Sequence, residues 1–353
     1  MRASPWSGRS VFLTGHTGFK GSWLALRLAG AGARVHGYAL APDTTPSLYE
    51  AAKVGSALAS STIADLRDRE RLDAALREAD PEIVFHLAAQ PLVRRSYREP
   101  LETWDVNVMG TVAVFEAART CERLRGILAV TTDKVYAHRG AAHPFVEDDP
   151  LGGHDPYSAS KAACELVAAS YRDAFLRERG VAVATARAGN VIGGGDWAEE
   201  RLMTDVVRAA YEGRPLAIRY PDAVRPWQHV LDAIDGYVRL GERMLTGEGN
   251  DVARAWNFGP DPRDVASVRA VVAEAGRAFG SAQTFDAASP EFVEAAVLTL
   301  DSAAAQSQVG WRSRLRLPEA LAWTAEWYRT YYDGGDVVAL TRQQIAAYAE
   351  IAA

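Results

Sequence analysis

Cysteine is nearly absent: Cys121 and Cys164 are the only two in 353 residues. Both fall in Ala-rich helical patterns, so they read as small buried hydrophobes rather than a disulfide. The seven histidines are scattered, and with no Cys/His cluster at metal-ligand spacing, no metal is expected. No apolar tract approaches the ~20 residues of a membrane span. Met1 to Arg9 contains Pro5 and Trp6 but no apolar signal core, so a cytoplasmic protein is expected. A basic excess is missing too. The net charge of -6 argues against a nucleic-acid surface. What remains is an ordinary globular composition, 48% hydrophobic and 24% charged, long enough for one large domain or two closely packed ones.

The chain opens with a β-branched and aromatic run, Ser10 to Leu13, followed by Thr14-Gly15-His16-Thr17-Gly18-Phe19-Lys20-Gly21. A helical pattern then runs from Ser22 to Ala31, with Gly32 as its stop. Strand, glycine-rich turn and helix form the first unit of a dinucleotide-binding fold, in which the helix N-terminus receives a pyrophosphate. Further strands are expected at Arg34 to Leu40, Ser61 to Ile63, Ile83 to Leu87, Gly126 to Thr131 and Val181 to Ala186. Helices are expected between them: Arg69 to Glu78, a long one from Tyr97 to Arg119, and another reaching Arg179. This alternation predicts an α/β fold with a Rossmann-like, doubly wound parallel sheet, and ligands at the carboxyl ends of its strands. After Arg187 to Asn190 the pattern changes. Gly193-Gly194-Gly195-Asp196-Trp197 reads as a flexible loop, and helices at Leu202 to Glu212, Val265 to Phe279, Pro318 to Tyr331 and Arg342 to Ile351 belong to a smaller mixed lobe. We expect residues 1–187 to form the cofactor domain, with a return segment near 226–260, and 188–225 with 261–353 to form the substrate lobe.

Tyr157 and Lys161 are four residues apart, on one face of the second long helix. A cation so placed favours the phenolate and is expected to lower the tyrosine pKa toward working pH, as an acid–base catalyst needs.

Taken together, these blocks resemble the extended short-chain dehydrogenase/reductase superfamily, in its nucleotide-sugar branch, and within it the CDP-glucose 4,6-dehydratases. The likeness rests on Thr14 to Leu24, Ala89 to Arg94, Thr131-Thr132-Asp133-Lys134, Gly189 to Trp197 and Arg225-Pro226-Trp227-Gln228-His229-Val230. It implies a hydro-lyase: a hydride leaves hexose carbon 4 for bound NAD, water leaves across carbons 5 and 6, and the hydride returns to carbon 6. Tyr157 would take the 4-hydroxyl proton, assisted by Lys161, Thr132 would bond the same oxygen, and Asp133 would protonate the departing 6-hydroxyl. Lys134 stands where related dTDP-glucose enzymes carry a glutamate base for carbon 5. It is either that base or a cation shaping the pocket, and only a neutral amine can do the former. Cofactor contacts carry over to Thr14, Gly15, Thr17, Gly18, Phe19, Lys20, Gly21, Asp65, Leu66, Ala88, Ala89, Gln90, Asn107, Thr131, Ala188 and Asn190, besides Tyr157 and Lys161. Asp65 also suits a helix N-cap. Substrate contacts fall on Gln90, Thr132, Asn190, Arg201, Arg219 and Arg225, with arginine matching phosphate in a bidentate fork. Trp197 and Trp227 either border the pocket or belong to the core, and His229 orients its loop.

Tyr38-Ala39-Leu40, at the second strand end, has neither an acid for ribose hydroxyls nor an arginine for a 2′-phosphate. The residues therefore leave NAD and NADP both open, and the resemblance favours NAD. An epimerase or reductase would share Tyr157 and Lys161 but lack the pair at 133 and 134; a non-catalytic cofactor-binding regulator would have lost the Tyr or the Lys. The resemblance also implies a homodimer through a four-helix bundle of the two long helices, where Ala162, Ala163, Ala168 and Ala169 permit close approach, unless they pack on the chain's own sheet.

Overall fold

A computed structural model describes residues 4–137, 143–213, 216–218, 220–280, 285–287 and 298–351. Its strands in chain order are β1 (Ser10–Thr14), β2 (Arg34–Ala39), β3 (Ser60–Ile63), β4 (Ile83–His86), β5 (Gly126–Val130) and β6 (Ala182–Ala188). They continue with β7 (Asn190–Ile192), β8 (Leu216–Ile218), β9 (Val224–His229), β10 (Ala255–Phe258), β11 (Val265–Ser267) and β12 (Phe285–Ala287). Seven form one parallel sheet in the order β10-β6-β5-β4-β1-β2-β3. Successive residues of β1 point to opposite faces: Val11 and Leu13 enter one core cluster and Phe12 the other. That is a doubly wound sheet, buried on both sides, and its order reverses between β1 and β4. Beside it lie a three-stranded sheet, β11-β9-β7, and a two-stranded one, β12-β8.

Most expected elements appear within a residue or two, and the differences have physical causes. The first helix starts at Phe19 rather than Ser22, because the glycine turn closes within one residue of Gly18. The long helix expected from Tyr97 is broken. Val93–Arg98 ends before Pro100, which starts a new helix, Pro100–Trp104, and a π turn at Asp105–Met109 precedes Gly110–Ala118. The second long helix ends as Pro156–Tyr171 and then a π turn, Arg172–Leu176. Val265–Ser267 is a strand before the helix Val268–Phe279, and the last helix starts earlier, as Val337–Glu350. Cys164 is helical and Cys121 lies just past a helix end; both are buried and free.

The loop Gly193–Trp197 is packed, not flexible. A Cβ on Gly194 would sit 2.0 Å from the Trp327 ring, and Gly194 O accepts from Trp23 Nε1 at 3.1 Å. Its glycines are there for close approach rather than mobility. Trp197 and Trp227 are core residues, 3% and 4% exposed. His229 caps the helix Val230–Leu245 through Nδ1, accepting from Leu231 N at 3.3 Å.

Candidate active site

The glycine turn is a cradle with no room for side chains. Gly15 sits at φ +78°, and a Cβ there would lie 2.8 Å from Ala88 N; a Cβ on Gly21 would lie 1.9 Å from Gly15 O. Gly18 caps the Phe19–Gly30 helix without any side-chain acceptor, so the first-turn N–H groups present their partial positive charge to whatever lies at the β1 end. Such a cradle fits a dinucleotide pyrophosphate. Thr14 braces the cradle. Its hydroxyl accepts from Leu87 N and Ala88 N at 3.1 Å each and bonds His86 Nδ1 at 2.8 Å, tying β1 to β4. Thr17 donates to Leu40 O at 2.8 Å. Asp65 is not a helix cap: its carboxylate takes Arg67, at 2.6 Å in the shortest contact, and Asp68 caps the Arg69–Ala79 helix instead. Leu66 is buried against Gly110.

Gln90, expected as a ligand, spends its amide on its own turn. It donates to Leu92 O and to Thr103 Oγ1, at 3.1 and 2.9 Å, and accepts from Leu92 N at 2.6 Å. Asn107, carried inward by the π turn, accepts from Gln90 N at 2.7 Å and donates to Ser160 Oγ at 2.9 Å. It fastens the β4 loop to the helix that bears Tyr157 and Lys161. These bonds link the β4 loop to two helices, which the residue types alone do not reveal.

At the β5 end, Thr131, Thr132 and Asp133 are buried and Lys134 is half-buried. Thr132 donates to Asp133 Oδ1 at 3.0 Å and is hydrogen-bonded to the Tyr157 phenol. Asp133 Oδ2 is buried without a hydrogen-bond partner. The helix Pro156–Tyr171 begins where Asp155 accepts from Ser158 N at 2.9 Å, with Pro156 in its first turn, which sets Tyr157 at the open end of the sheet. Lys161 donates from Nζ to Val130 O at 3.1 Å.

One expectation fails in sign. Burial pushes the Tyr157 hydroxyl up to about 12, against the opposing pull of Arg201 and the Thr132 bond. Arg201 is the cation that most opposes this rise, and Lys161, which donates to Val130 O, is itself lowered by burial. Arg201 lies at the start of the Leu202–Glu212 helix. Lys20 joins the same group: burial first, then Arg201, brings its ammonium down to about 8, while Asp133 opposes. Asp196, half-buried and raised by desolvation, lies within reach of both Arg201 and Lys20.

Ala88 and Ala89 are half-buried at the β4 end, Ala188 is buried at the β6 end and Asn190 begins β7. Arg225 is buried in β9, donating to Val224 O at 3.0 Å. Arg219 lies outside the described residues.

The sequence reading missed Glu165 and Arg187. They form a buried pair at 2.9 Å that also receives the Thr131 hydroxyl at 2.5 Å. The signal was present, since Tyr157, Lys161 and Glu165 follow at intervals of four on one helical face.

Among the described residues, no group of three or more His, Cys, Asp or Glu is arranged to hold a metal ion, and no helix is long and apolar enough to cross a membrane.

The model of the NAD dependent epimerase/dehydratase family matches residues 11–259. CDP-glucose 4,6-dehydratase of Salmonella typhimurium is 42% identical over 350 residues, 97% of each chain. UDP-glucose 4-epimerase of Mycolicibacterium smegmatis is 30% identical over 328 residues, 90% of this chain and 98% of that one. Among solved structures, UDP-glucose-4-epimerase from Stenotrophomonas maltophila, with bound NAD and formylated UDP-arabinopyranose, superposes with TM-score 0.81 at 22% identity. It covers 93% of this chain and 100% of its own, a likeness of fold. With the glycine cradle, the Tyr157–Lys161 helix face and a family model spanning residues 11–259, this chain belongs to the NAD dependent epimerase/dehydratase family.

Proposed function

We propose that this chain is a nucleotide-sugar 4,6-dehydratase that converts CDP-glucose to CDP-4-keto-6-deoxyglucose with NAD as a resident cofactor. The observation that carries the reading is the unpartnered, buried Asp133 Oδ2 one residue from Thr132, itself bonded to Tyr157. A carboxyl held there can give a proton to a departing hydroxyl, a task that an epimerase does not have. The 42% identity to a CDP-glucose 4,6-dehydratase supports the same substrate.

The cofactor would be held by the Gly15–Gly21 cradle and the Phe19–Gly30 helix N-terminus, with Ala88, Ala89 and Ala188 lining the groove and Asp65 and Leu66 toward its adenine. NAD, when bound, accepts and returns the hydride. The chain's own residues handle the protons. Tyr157 takes the proton from the sugar 4-hydroxyl, while Thr132 holds that oxygen in place. Burial raises the Tyr157 hydroxyl, and the positive charge of Arg201 and the bond with Thr132 oppose that rise and favour its ionisation. With carbon 4 oxidised, the carbon 5 proton is acidified, and Lys134, as its neutral amine, takes it. Asp133 gives a proton to the 6-hydroxyl, which leaves as water. Arg201, Arg225 and Asn190 would hold the diphosphate side, Arg219 being a further candidate.

The chain also pairs with a second copy. Leu101, Trp104 and Met109, on the Pro100–Trp104 helix and the π turn, and Leu166, on the Pro156–Tyr171 helix, are 83%, 40%, 42% and 65% exposed. Large apolar side chains so exposed on neighbouring helices favour a partner surface. Ala162 and Ala168, by contrast, are buried in the chain's own core.

Mass spectrometry of CDP-glucose, UDP-glucose, dTDP-glucose and GDP-mannose, each incubated with the protein and NAD, tests the function. Loss of one water from CDP-glucose is the expected result. Loss from a different sugar nucleotide moves the substrate, and no loss from any of them overturns the dehydratase reading in favour of an epimerase, which leaves mass unchanged.

A further inference from the structure

Beneath the catalytic turn lies a buried polar cluster that the proposed chemistry does not use. Both oxygens of Glu165 are occupied. Oε1 accepts from Thr131 Oγ1 at 2.5 Å and from Arg187 Nε at 2.9 Å; Oε2 accepts from Thr185 Oγ1 at 2.5 Å and from Arg187 Nη2 at 3.0 Å. Arg187 continues outward, donating from Nη1 to Tyr136 Oη and to Glu147 O at 2.8 Å each. Tyr136 in turn donates to Asn257 Oδ1 at 2.7 Å. One carboxylate thus joins the ends of β5 and β6 to the Pro156–Tyr171 helix, with β10 attached through Asn257. The Glu165 and Arg187 side chains are each 4% exposed, and burying such a pair is seldom a net gain in stability. Its cost needs a reason.

We propose that Glu165 is a positioning residue for the acid–base chemistry: its carboxylate anchors Thr131 against the catalytic helix and provides the negative charge that keeps the Lys161 ammonium protonated. Thr131 precedes Thr132 and Asp133, so its anchor sets where those two hydroxyl and carboxyl groups stand relative to Tyr157. Glu165 lies one helical turn beyond Lys161, on the same face. The other titratable or charged groups around Lys161 include Tyr157 and Cys164 on its own helix, His86 at the β4 end and Lys20 on the first helix, while Arg187 of β6 faces Glu165 itself. His86 is held neutral by burial, its pKa brought down to about 3, and Lys20 repels. Burial disfavours the Lys161 charge, and Cys164 and Glu165 oppose it. Glu165 is the carboxylate among them.

This inference rests on Tyr157 and Lys161 being the acid–base pair, and its test separates the two claims. The chain has only four lysines, Lys20, Lys53, Lys134 and Lys161, so lysine labelled with 13C at Cε gives four signals, assigned with Lys161→Met. In Glu165→Gln the Lys161 titration is expected to move about one pH unit lower, without any substrate present. In turnover, kcat falls roughly tenfold to a hundredfold with KM within about threefold, and the alkaline limb of the kcat profile moves lower by the same unit. Because Glu165→Gln leaves Arg187 as an unpaired buried charge, the double variant Glu165→Gln/Arg187→Gln tests the Thr131 anchor without that defect: kcat falls as in the single variant, and the Lys161 titration moves lower by less, since a positive charge leaves with the negative one. A Lys161 titration and alkaline limb unmoved in a folded variant would overturn the proposal. A wild-type chain inactive on every sugar nucleotide, but with Lys161 shifting as stated, would overturn the dehydratase reading and leave the electrostatic role of Glu165 standing.

Discussion

Three buried histidines are held neutral by the fold. Burial brings His16 down to about 4, and His86 and His229 each down to about 3. His86 sits between Thr14 and Thr111, at 2.8 and 3.0 Å, and His229 between the rings of Trp23 and Trp323; neither place welcomes an imidazolium. Each folded pKa lies below the ~6.5 of an unfolded histidine, so below that pH the unfolded chain binds protons that the folded chain refuses. The stability these residues contribute is complete above pH 6.5 and is lost as pH falls toward 3, at about 1.4 kcal/mol per pH unit for each histidine. Urea midpoints measured from pH 7 to pH 5 should therefore decline, and His86→Asn should flatten that decline by roughly one proton's worth. An unchanged slope would mean that His86 is not the buried neutral group described. The same physics governs Tyr157, where burial outweighs the neighbouring cations and raises the hydroxyl. Residue types in a motif identify the acid–base pair, but the sign of its resting shift depends on desolvation.

At the scale of the element, the glycine turn and the first helix act as a unit whose two inner glycines differ in purpose. A Cβ on Gly21 would stand 1.9 Å from Gly15 O, whereas one on Gly18 would stand 3.4 Å from the same atom, an ordinary contact. Gly21→Ala should cost roughly 3 kcal/mol or more, since backbone must move. Gly18→Ala should stay within about 1 kcal/mol of the parent and yet weaken NAD about tenfold, because its methyl enters the groove that receives the pyrophosphate. Thermal melts and calorimetric titration of NAD check the two effects separately. Equal stability losses in both variants would remove the distinction. The break at Glu99 and the π turn at Asp105–Met109 belong to this scale as well. Periodicity indicated one long helix, because a π turn keeps nearly the same apolar spacing while rotating one residue, Asn107, inward to meet Gln90 and Ser160.

For the whole molecule, the Pro100–Trp104 helix, the π turn after it and the Pro156–Tyr171 helix present exposed apolar side chains. Leu101, Trp104 and Met109 border a surface cleft with Arg67, Glu102, Asp105 and Val108. Light scattering on a sizing column should give twice the 38.2 kDa chain mass for the parent. The double variant Leu101→Glu/Leu166→Glu, altering only exposed positions, should give the chain mass itself with an unchanged far-UV spectrum. A monomeric parent would overturn the homodimer.

The first six strands in their order, the glycine cradle and the Tyr157–Lys161 face were legible from the sequence, because each depends on local spacing: period two in strands, period 3.6 in helices, and glycine where a backbone must approach. The family blocks at 131–134 and 189–197 were legible for the same reason, as contiguous motifs. Tertiary structure decided the rest. It made Gln90 and Thr14 braces between segments, packed the Gly193–Trp197 loop against Trp327, and set β10 beside β6. It brought Glu165, Thr131, Thr185 and Arg187 to one point from three separate elements. Hydrogen-bond partners and desolvation depend on which distant segments meet, and no local spacing in the chain encodes that meeting.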